Sequence, residues 1–419
     1  MRRLRRAHEI VGRPKEIITG LLLVAVIVAA TGVLSPARHD RPPAKAAAPA
    51  VGGGGAFVPA TTGATTTTTV PPTTTSTTPP TTQPALPPTT TAPRATTTSA
   101  PPPAPPVHDT LPATAVGVYT GAANPSGAAG FTAATGAHVT VVEDYLPGSG
   151  TWAGIDGAGG SLGWMFNVWH GTGYQLVLGV PMFAGADSPP DTLAAGAAGT
   201  YNAYFVTLAQ TLVAAGQGNA ILRLGQEPTG NWNAWRITDA TDAANYAAYF
   251  RQIVTSMRTV PGQAFKFIWE AADPQDGSYP GTYTAQEAYP GNAYVDYIGQ
   301  DTYDQSWNGS CGLAFDNSTT AAASECNWTN TLLPGLTRAA DFAFANGKPV
   351  VFPEWGEAIR GDGHGMGDDP TFIQDMASWI SGHDVPFAIY FDFDVPGQVD
   401  AITDGNFPAA LTAFRAAFG

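Results

Sequence analysis

Carboxylates and aromatic rings recur together where the β-rich runs of this chain end. Six such places stand out: Glu143-Asp144-Tyr145, Gln226-Glu227-Pro228, Trp269-Glu270, Asp301-Thr302-Tyr303-Asp304, Glu354-Trp355 and Asp392-Phe393-Asp394. Rings that stack on pyranose faces, beside acids that act on the bond between sugars, are what a carbohydrate site requires. Glycosidic cleavage needs one carboxylic acid to protonate the leaving oxygen and one carboxylate to attack or to activate water. Glu227 and Glu354 are the expected pair. Glu227 follows an apolar run and precedes Pro228, surroundings that favour a raised pKa and the acid/base role. Glu354 is expected to stay ionised as the nucleophile, oriented by a hydrogen bond from a neighbour such as Tyr303. A separation of about 5.5 Å between the two would mean retention, and about 6.5 to 9.5 Å inversion.

The elements that must position these residues are legible as an alternation. Strands are expected at Ala115–Tyr119, Val139–Glu143, Gln175–Pro181, Ala220–Gln226, Phe265–Glu270, Tyr294–Asp301, Pro349–Pro353 and Pro386–Phe393. Between them lie helix candidates at Gly127–Thr135, after Trp152, at Thr192–Ala215, Ala240–Met257, briefly after Tyr283, at Thr329–Ala345, Thr371–Ser381 and Pro408–Phe418. Eight β/α units in residues 112–419 are the size of an α/β (β/α)8 TIM barrel. An open doubly wound sheet is the alternative, but the segment VGVYTGAANPSGAAGF after the first strand holds neither GxGxxG nor GxxxxGK. In a barrel the carboxylates listed above gather at the C-terminal mouth, with strands four and seven facing each other across it.

Several of these runs carry a family resemblance. LRLGQEPTGNWNAW resembles the strand-four motif of the family 26 glycoside hydrolases of clan A, with matches at Arg223, Glu227, Gly230, Trp232 and Trp235. AYPGNAYVDYIGQDTY is similar to that family's strand-six signature, which ends in a tyrosine beside the nucleophile, here Tyr303. KPVVFPEWG resembles its strand seven, with Glu354 as nucleophile and Trp355 next to it, and FKFIWEAADP resembles the strand-five segment bearing an aromatic wall, here Trp269. The resemblance covers the chain from about residue 114 to its end, with its specific motifs between Arg223 and Gly356. It implies a (β/α)8 barrel and a retaining, endo-acting hydrolase of β-linked polysaccharide, most often β-mannan. Substrate contacts are then expected from Arg223, Gln226, Trp232, Trp235, Trp269, Tyr303 and Trp355. Arg223 has two readings, a barrel arginine pairing acids inside the mouth or the residue that holds Glu354. Trp232 is the expected sugar platform; helix packing is the other reading for it and for Trp235. Two departures stand out. Gln226 takes the place of the family's histidine, and strand eight, FAIYFDFD, offers Tyr390, Phe391 and Phe393 where a Trp platform is usual. Asp392 and Asp394 could bind hydroxyls there or solvate the rim.

Charge and composition set the remaining bounds. Residues 1–111 hold 10 Lys/Arg against 4 Asp/Glu, a formal +6, while residues 112–419 hold 9 against 29, a formal −20. A folded part this acidic cannot gather phosphates, which excludes a nucleic-acid reader and favours a neutral or cationic substrate. Residues 1–16 are a basic flank and 17–34 an uncharged apolar stretch, expected to be a transmembrane anchor or else a cleaved signal peptide. Either way the rest is exported, held to the membrane or secreted. Residues 35–111 are almost wholly Pro, Thr, Ala and Gly, a disordered stalk that cannot bury a core. Given export, Cys311 and Cys326 are expected to form a disulfide. The histidines show no HExxH, and the chemistry needs no metal or organic cofactor. Asn308, Asn317 and Asn327 begin N-glycosylation triplets. A monomer acting on polysaccharide is the default; a barrel that binds carbohydrate without turning it over, a hydrolase of another β-glycan and a transglycosylase are the rivals.

Overall fold

A computed structural model of the 419-residue chain describes residues 113–147, 150–185, 191–230, 232–270, 285–307 and 309–419. The expected flank, anchor or signal peptide, and stalk at residues 1–111 lie outside the described residues. Among those described, no helix is long and apolar enough to cross a membrane.

The described residues form eleven strands: β1 Ala115–Tyr119, β2 Val139–Tyr145, β3 Gln175–Val180, β4 Ile221–Leu224, β5 Lys266–Glu270, β6 Tyr297–Gly299, β7 Thr302–Tyr303, β8 Val350–Gly356, β9 Ile359–Arg360, β10 Phe387–Phe391 and β11 Gln398–Val399. Strands β1 to β6 pair in parallel in sequence order, β6 pairs β8, β8 pairs β10, and β10 returns to β1. The result is a closed barrel of eight parallel strands, with β7 extending the β6 unit along β8 and β9–β11 forming a separate antiparallel pair. Among the described residues, each of the eight barrel strands is paired on both sides.

Helices α1 Pro125–Thr135, α2 Trp152–Asp156, α3 Gly163–Trp169, α4 Leu193–Ala197, α5 Asn202–Ala214, α6 Ala240–Met257, α7 Ala321–Asn327, α8 Leu333–Ala345, α9 Pro370–Ser381 and α10 Pro408–Phe418 follow the strands. Their starts are chemically marked. Asp239 caps α6 by accepting from the N–H groups of Thr241 and Asp242, and Asp369 caps α9, whose first residue is Pro370. The inward stripe of α6, including Ala243, Tyr246, Phe250, Ile253 and Met257, recurs at three- and four-residue spacing and is buried against the sheet. Three expected elements differ. The helix expected over Thr192–Ala215 is two, α4 and α5, separated by Gly199 with φ +86°. The expected strand Tyr294–Asp301 is only Tyr297–Gly299, and Thr302–Tyr303 resumes the ladder after the break at Gln300-Asp301. The helix expected over Thr329–Ala345 begins as a wide turn, Trp328–Leu332, before α8.

The strand period of two sorts side chains into two cores. Val141, Val177, Ile221, Ile268, Val351, Phe387 and Ile389 fill the barrel interior, and the larger outer core lies between sheet and helices. Two residues further along the same faces, Glu143, Arg223 and Glu270 point inward above this apolar floor.

Candidate active site

Arg223 is the centre of the barrel mouth and is fully buried. Its guanidinium grips Glu270 on two sides, Nε to Oε2 at 3.2 Å and NH2 to Oε1 at 2.9 Å. NH1 donates to Glu143 at 3.3 Å, to the Tyr145 hydroxyl at 3.3 Å and to Glu354, while NH2 also donates to Asp301. One cation therefore faces four carboxyl groups, and they cannot all be ionised in a dry interior. Burial pushes Glu270 up, but the two-pronged Arg223 contact outweighs it and holds Glu270 below the usual carboxylate range. For Glu143 and Asp301 burial wins over Arg223, and neighbouring carboxylates push the same way, so both lie well above that range. Glu143 Oε2 is buried without a hydrogen-bond partner, as a neutral acid tolerates better than an anion.

Glu354 is presented by an irregularity in β8. Ala388 and Tyr390 of β10 pair with Phe352 and Trp355, so two steps on β10 face three on β8. The extra residue keeps Phe352 and Trp355 both in the outer core and turns Glu354, between them, into the mouth. Each oxygen is held there. Oε1 accepts from the Tyr145 hydroxyl at 2.7 Å and from Arg223, and Oε2 accepts from the Tyr303 hydroxyl at 2.7 Å.

Glu227 lies three residues beyond the end of β4, on a left-handed backbone with φ +47°, a conformation worth of order 1–3 kcal/mol of strain for a side chain of this kind. Its N–H donates to Glu270 Oε2 at 2.9 Å, and its carbonyl accepts from Asn233 Nδ2 at 3.2 Å. The carboxyl accepts from Trp232 Nε1 at 2.6 Å. Burial, then the charges of Glu354 and Glu270, push Glu227 up to about 8 against the opposing pull of Arg223 and the indole N–H. One oxygen each of Glu227, Asp301 and Glu354 lies within 4.8 Å of the others.

The comparisons with known proteins fit this geometry. The Glycosyl hydrolase family 26 profile matches residues 197–329, a segment holding Arg223, Glu227, Asp301 and Tyr303. The chain resembles the family 26 glycosyl hydrolases. It is 29% identical over 203 residues to a mannan endo-1,4-beta-mannosidase of Bifidobacterium adolescentis, covering 46% of this chain and 18% of that relative's length. Among solved structures, a Cellulomonas fimi endo-beta-1,4-mannanase double mutant superposes with TM-score 0.50 at 18% identity, over 73% of this chain and 70% of that one. That likeness shows a shared fold.

Within this family 26-like barrel, the expected site residues divide. Glu227, Glu354, Arg223, Tyr303 and Trp232 come together at the mouth. Gln226 stands beside them, half-buried, with its Oε1 unpartnered. Three expected sugar contacts are corrected. Trp235 is 2% exposed and donates to the Gln226 carbonyl at 2.8 Å, bracing the loop from behind. Trp269 is buried outside the barrel against Tyr289 and Phe342. Trp355 is buried among Tyr390, Phe414 and Phe418. Strand parity explains the last two, since each neighbours a glutamate that points inward, and a sugar cannot reach rings on the opposite face. The floor expected on strand eight is a cluster of Tyr119, Phe391 and Phe393, with Tyr145 edge-on to Tyr119 at 5.0 Å.

Other acids of the expected mouth are structural. Asp144 accepts from Ala123 N and Trp169 Nε1, and burial pushes it up to about 6. Asp392 accepts from Thr403, and Asp394 from the N–H groups of Asp400 and Ala401, so both brace the 400–403 turn. Asp304 is buried near Asp369, away from the nucleophile. Cys311 and Cys326 are joined in a disulfide. Asn327 is 1% exposed and Asn317 bonds the Arg360 backbone through both side-chain atoms, so neither offers a free amide to a glycan; Asn308 lies outside the described residues. Sequence reasoning placed Glu143, Tyr145, Glu270 and Asp301 at strand ends without roles. Their inward parity with the apolar floor is the available signal; the reading of Arg223 as a barrel arginine pairing acids names no partner, and the structure supplies Glu143, Glu270 and Asp301 besides Glu354.

Proposed function

We propose that this protein is a retaining glycoside hydrolase that cleaves β-linked polysaccharide of the β-mannan type within the chain. The observation that carries the reading is the pair Glu227 and Glu354. One oxygen of each lies within 4.8 Å of the other across the mouth, which supports the close pairing of a retaining enzyme, about 5–5.5 Å, over the wider gap that admits a water. Their environments are also divided as the chemistry needs. Glu227, pushed up to about 8, keeps its proton at neutral pH, whereas Glu354 accepts hydrogen bonds from two hydroxyls and a guanidinium that aim its oxygens into the mouth.

In the first step Glu354 attacks the anomeric carbon as the bond to the leaving oxygen breaks, and Glu227 gives that oxygen its proton. A glycosyl ester on Glu354 results. In the second, the now ionised Glu227 takes a proton from water, whose oxygen attacks the same carbon and frees Glu354 with the original anomeric configuration. That the similar B. adolescentis protein is a mannan endo-1,4-beta-mannosidase and the C. fimi protein an endo-beta-1,4-mannanase supports mannan as the polymer to try first. The basic flank and apolar stretch at 1–34 support action outside the cytoplasm, anchored or secreted.

The test is product release from β-mannan, glucomannan, mixed-linkage glucan and xylan, with NMR of the first product's anomer. Cleavage of mannan giving the β-anomer, lost by about 10³-fold or more in both Glu227→Ala and Glu354→Ala, is expected. Binding without turnover, surviving both substitutions, would leave a carbohydrate-binding barrel in its place. Initial release of the α-anomer would refute retention.

A further inference from the structure

Beyond the reacting pair, the segment after β7 carries a second aromatic feature. Trp307 and Phe315 are 38% and 37% exposed, large apolar rings left open in a chain that buries most others. They sit on the segment after β7; the Cys311–Cys326 disulfide closes the part that holds Phe315, and Trp307 precedes it. That segment is tied to the turn after β9 at Ser306 and at Asn317. Ser306 N donates to the His364 carbonyl at 2.9 Å, and His364 Nδ1 lies 2.8 Å from the Ser306 carbonyl. Asn317 accepts from Arg360 N at 2.7 Å and donates to its carbonyl at 2.8 Å. The backbones pass so closely that a Cβ at Gly363 would lie 1.9 Å from the Phe315 oxygen, and one at Gly367 2.3 Å from that of Asn317.

The indole plane itself is fixed. The His364 ring stacks on Trp307 with centroids 3.8 Å apart and planes 20° from parallel, and the Arg360 guanidinium lies 5.4 Å from the ring centre. Arg360 is in turn held by Asp362 at 2.9 and 3.1 Å and by Gln398 at 2.8 Å. An exposed Trp backed by a stacked ring and flanked by oriented polar groups is a preorganised surface. Phe315 packs on the same His364 ring at 4.8 Å, so the two exposed rings form one apolar patch around it. Trp307 is also four residues from Tyr303, so the chain allows at most about 14 Å between their Cα atoms. Tyr303 bonds the nucleophile, so the chain keeps Trp307 within a few sugar lengths of the reacting pair.

We propose that Trp307, with Phe315 beside it, is a distal polysaccharide subsite. It stacks the apolar C–H face of a pyranose some units from the scissile bond, and Arg360 and Asp362 lie within reach of that sugar's hydroxyls. The proposal deepens the hydrolase reading and rests on it for the identity of the polymer. A subsite of this kind serves long chains and is out of reach of short ones.

The experiment compares the full chain with Trp307→Ala and Trp307→Phe on β-mannan and on the shortest manno-oligosaccharide that the unaltered protein cleaves. Trp307→Ala is expected to lower kcat/KM on the polymer at least about fivefold more than on the oligosaccharide, and Trp307→Phe to restore most of the difference. An equal change on both substrates, including none, would overturn the subsite. Affinity electrophoresis through soluble β-mannan, in the Glu354→Ala background, reads binding without turnover. If the unaltered protein cleaves nothing yet is retarded, the hydrolase reading fails while loss of retardation in Trp307→Ala sustains the platform; equal mobility of the two overturns it.

Discussion

A single side chain, Trp232, connects two roles that the sequence left apart. Its ring is 37% exposed, as a sugar platform requires, but its Nε1 also donates to Glu227 at 2.6 Å. That N–H favours the anion and opposes the burial that pushes Glu227 up to about 8. The acid form needed for the first step is lost as pH rises through that value, so kcat/KM should fall on the alkaline side of it. Trp232→Phe keeps a ring for the sugar and removes the donor. Its alkaline limb should move to higher pH, and a limb that stays in place would leave Trp232 with stacking alone. Tyr145 makes a complementary case. Its hydroxyl donates to Glu354 Oε1, and Tyr145→Phe should lower kcat/KM by about tenfold, the worth of a hydrogen bond to a charged group, in steady-state assays. The sequence shows Tyr145 at a strand end and no more, because the contact joins β2 to β8 across the barrel.

At the scale of the element, all eight strand positions were legible from β-rich runs and turn residues, and β1, α6 and α10 have the expected bounds. What local pattern could not give was the extra residue in β8, since a bulge is defined by the partner strand rather than by its own sequence. Its effect is that Trp355 faces outward beside an inward Glu354. The motif resemblance treated the two as neighbours in one site; packing makes Trp355 part of the layer between β8, β10 and α10. Trp355→Ala should therefore destabilise by about 3–5 kcal/mol in urea unfolding. The fraction still folded should keep the KM of the unaltered protein, whereas a raised KM with unchanged stability would return Trp355 to the sugar site. The same reasoning covers Trp269, flanked by the inward Ile268 and Glu270. Period two alone puts Trp269 on the outer face.

For the molecule as a whole, the excess of acid read from composition acquires a pH sense only in the folded state. Asp144 and Asp392 are pushed up to about 6 by burial, against donors from Trp169 and Thr403 respectively, and Glu227 to about 8. Each has an ordinary value near 4, so the unfolded chain releases these protons at lower pH than the folded one. A raised carboxyl contributes stability that is complete below the unfolded pKa and lost as pH climbs through the folded one. The windows are about 4 to 6 for the two aspartates and about 4.5 to 8 for Glu227. Glu270 and Asp362 lie below their ordinary values, and their contribution runs the other way, lost only at more acid pH. The formal −20 of residues 112–419 adds self-repulsion that grows over the same range as carboxyls ionise. Stability should therefore peak on the acid side, with Tm by calorimetry higher at pH 5 than at pH 8. Added salt, which screens repulsion, should recover more of it at pH 8 than at pH 5. A Tm that rises from pH 5 to 8 would mean that these carboxyls are solvated in the folded protein. Glu227 would then lack the proton that the proposed first step requires, so a stability measurement bears directly on the chemistry.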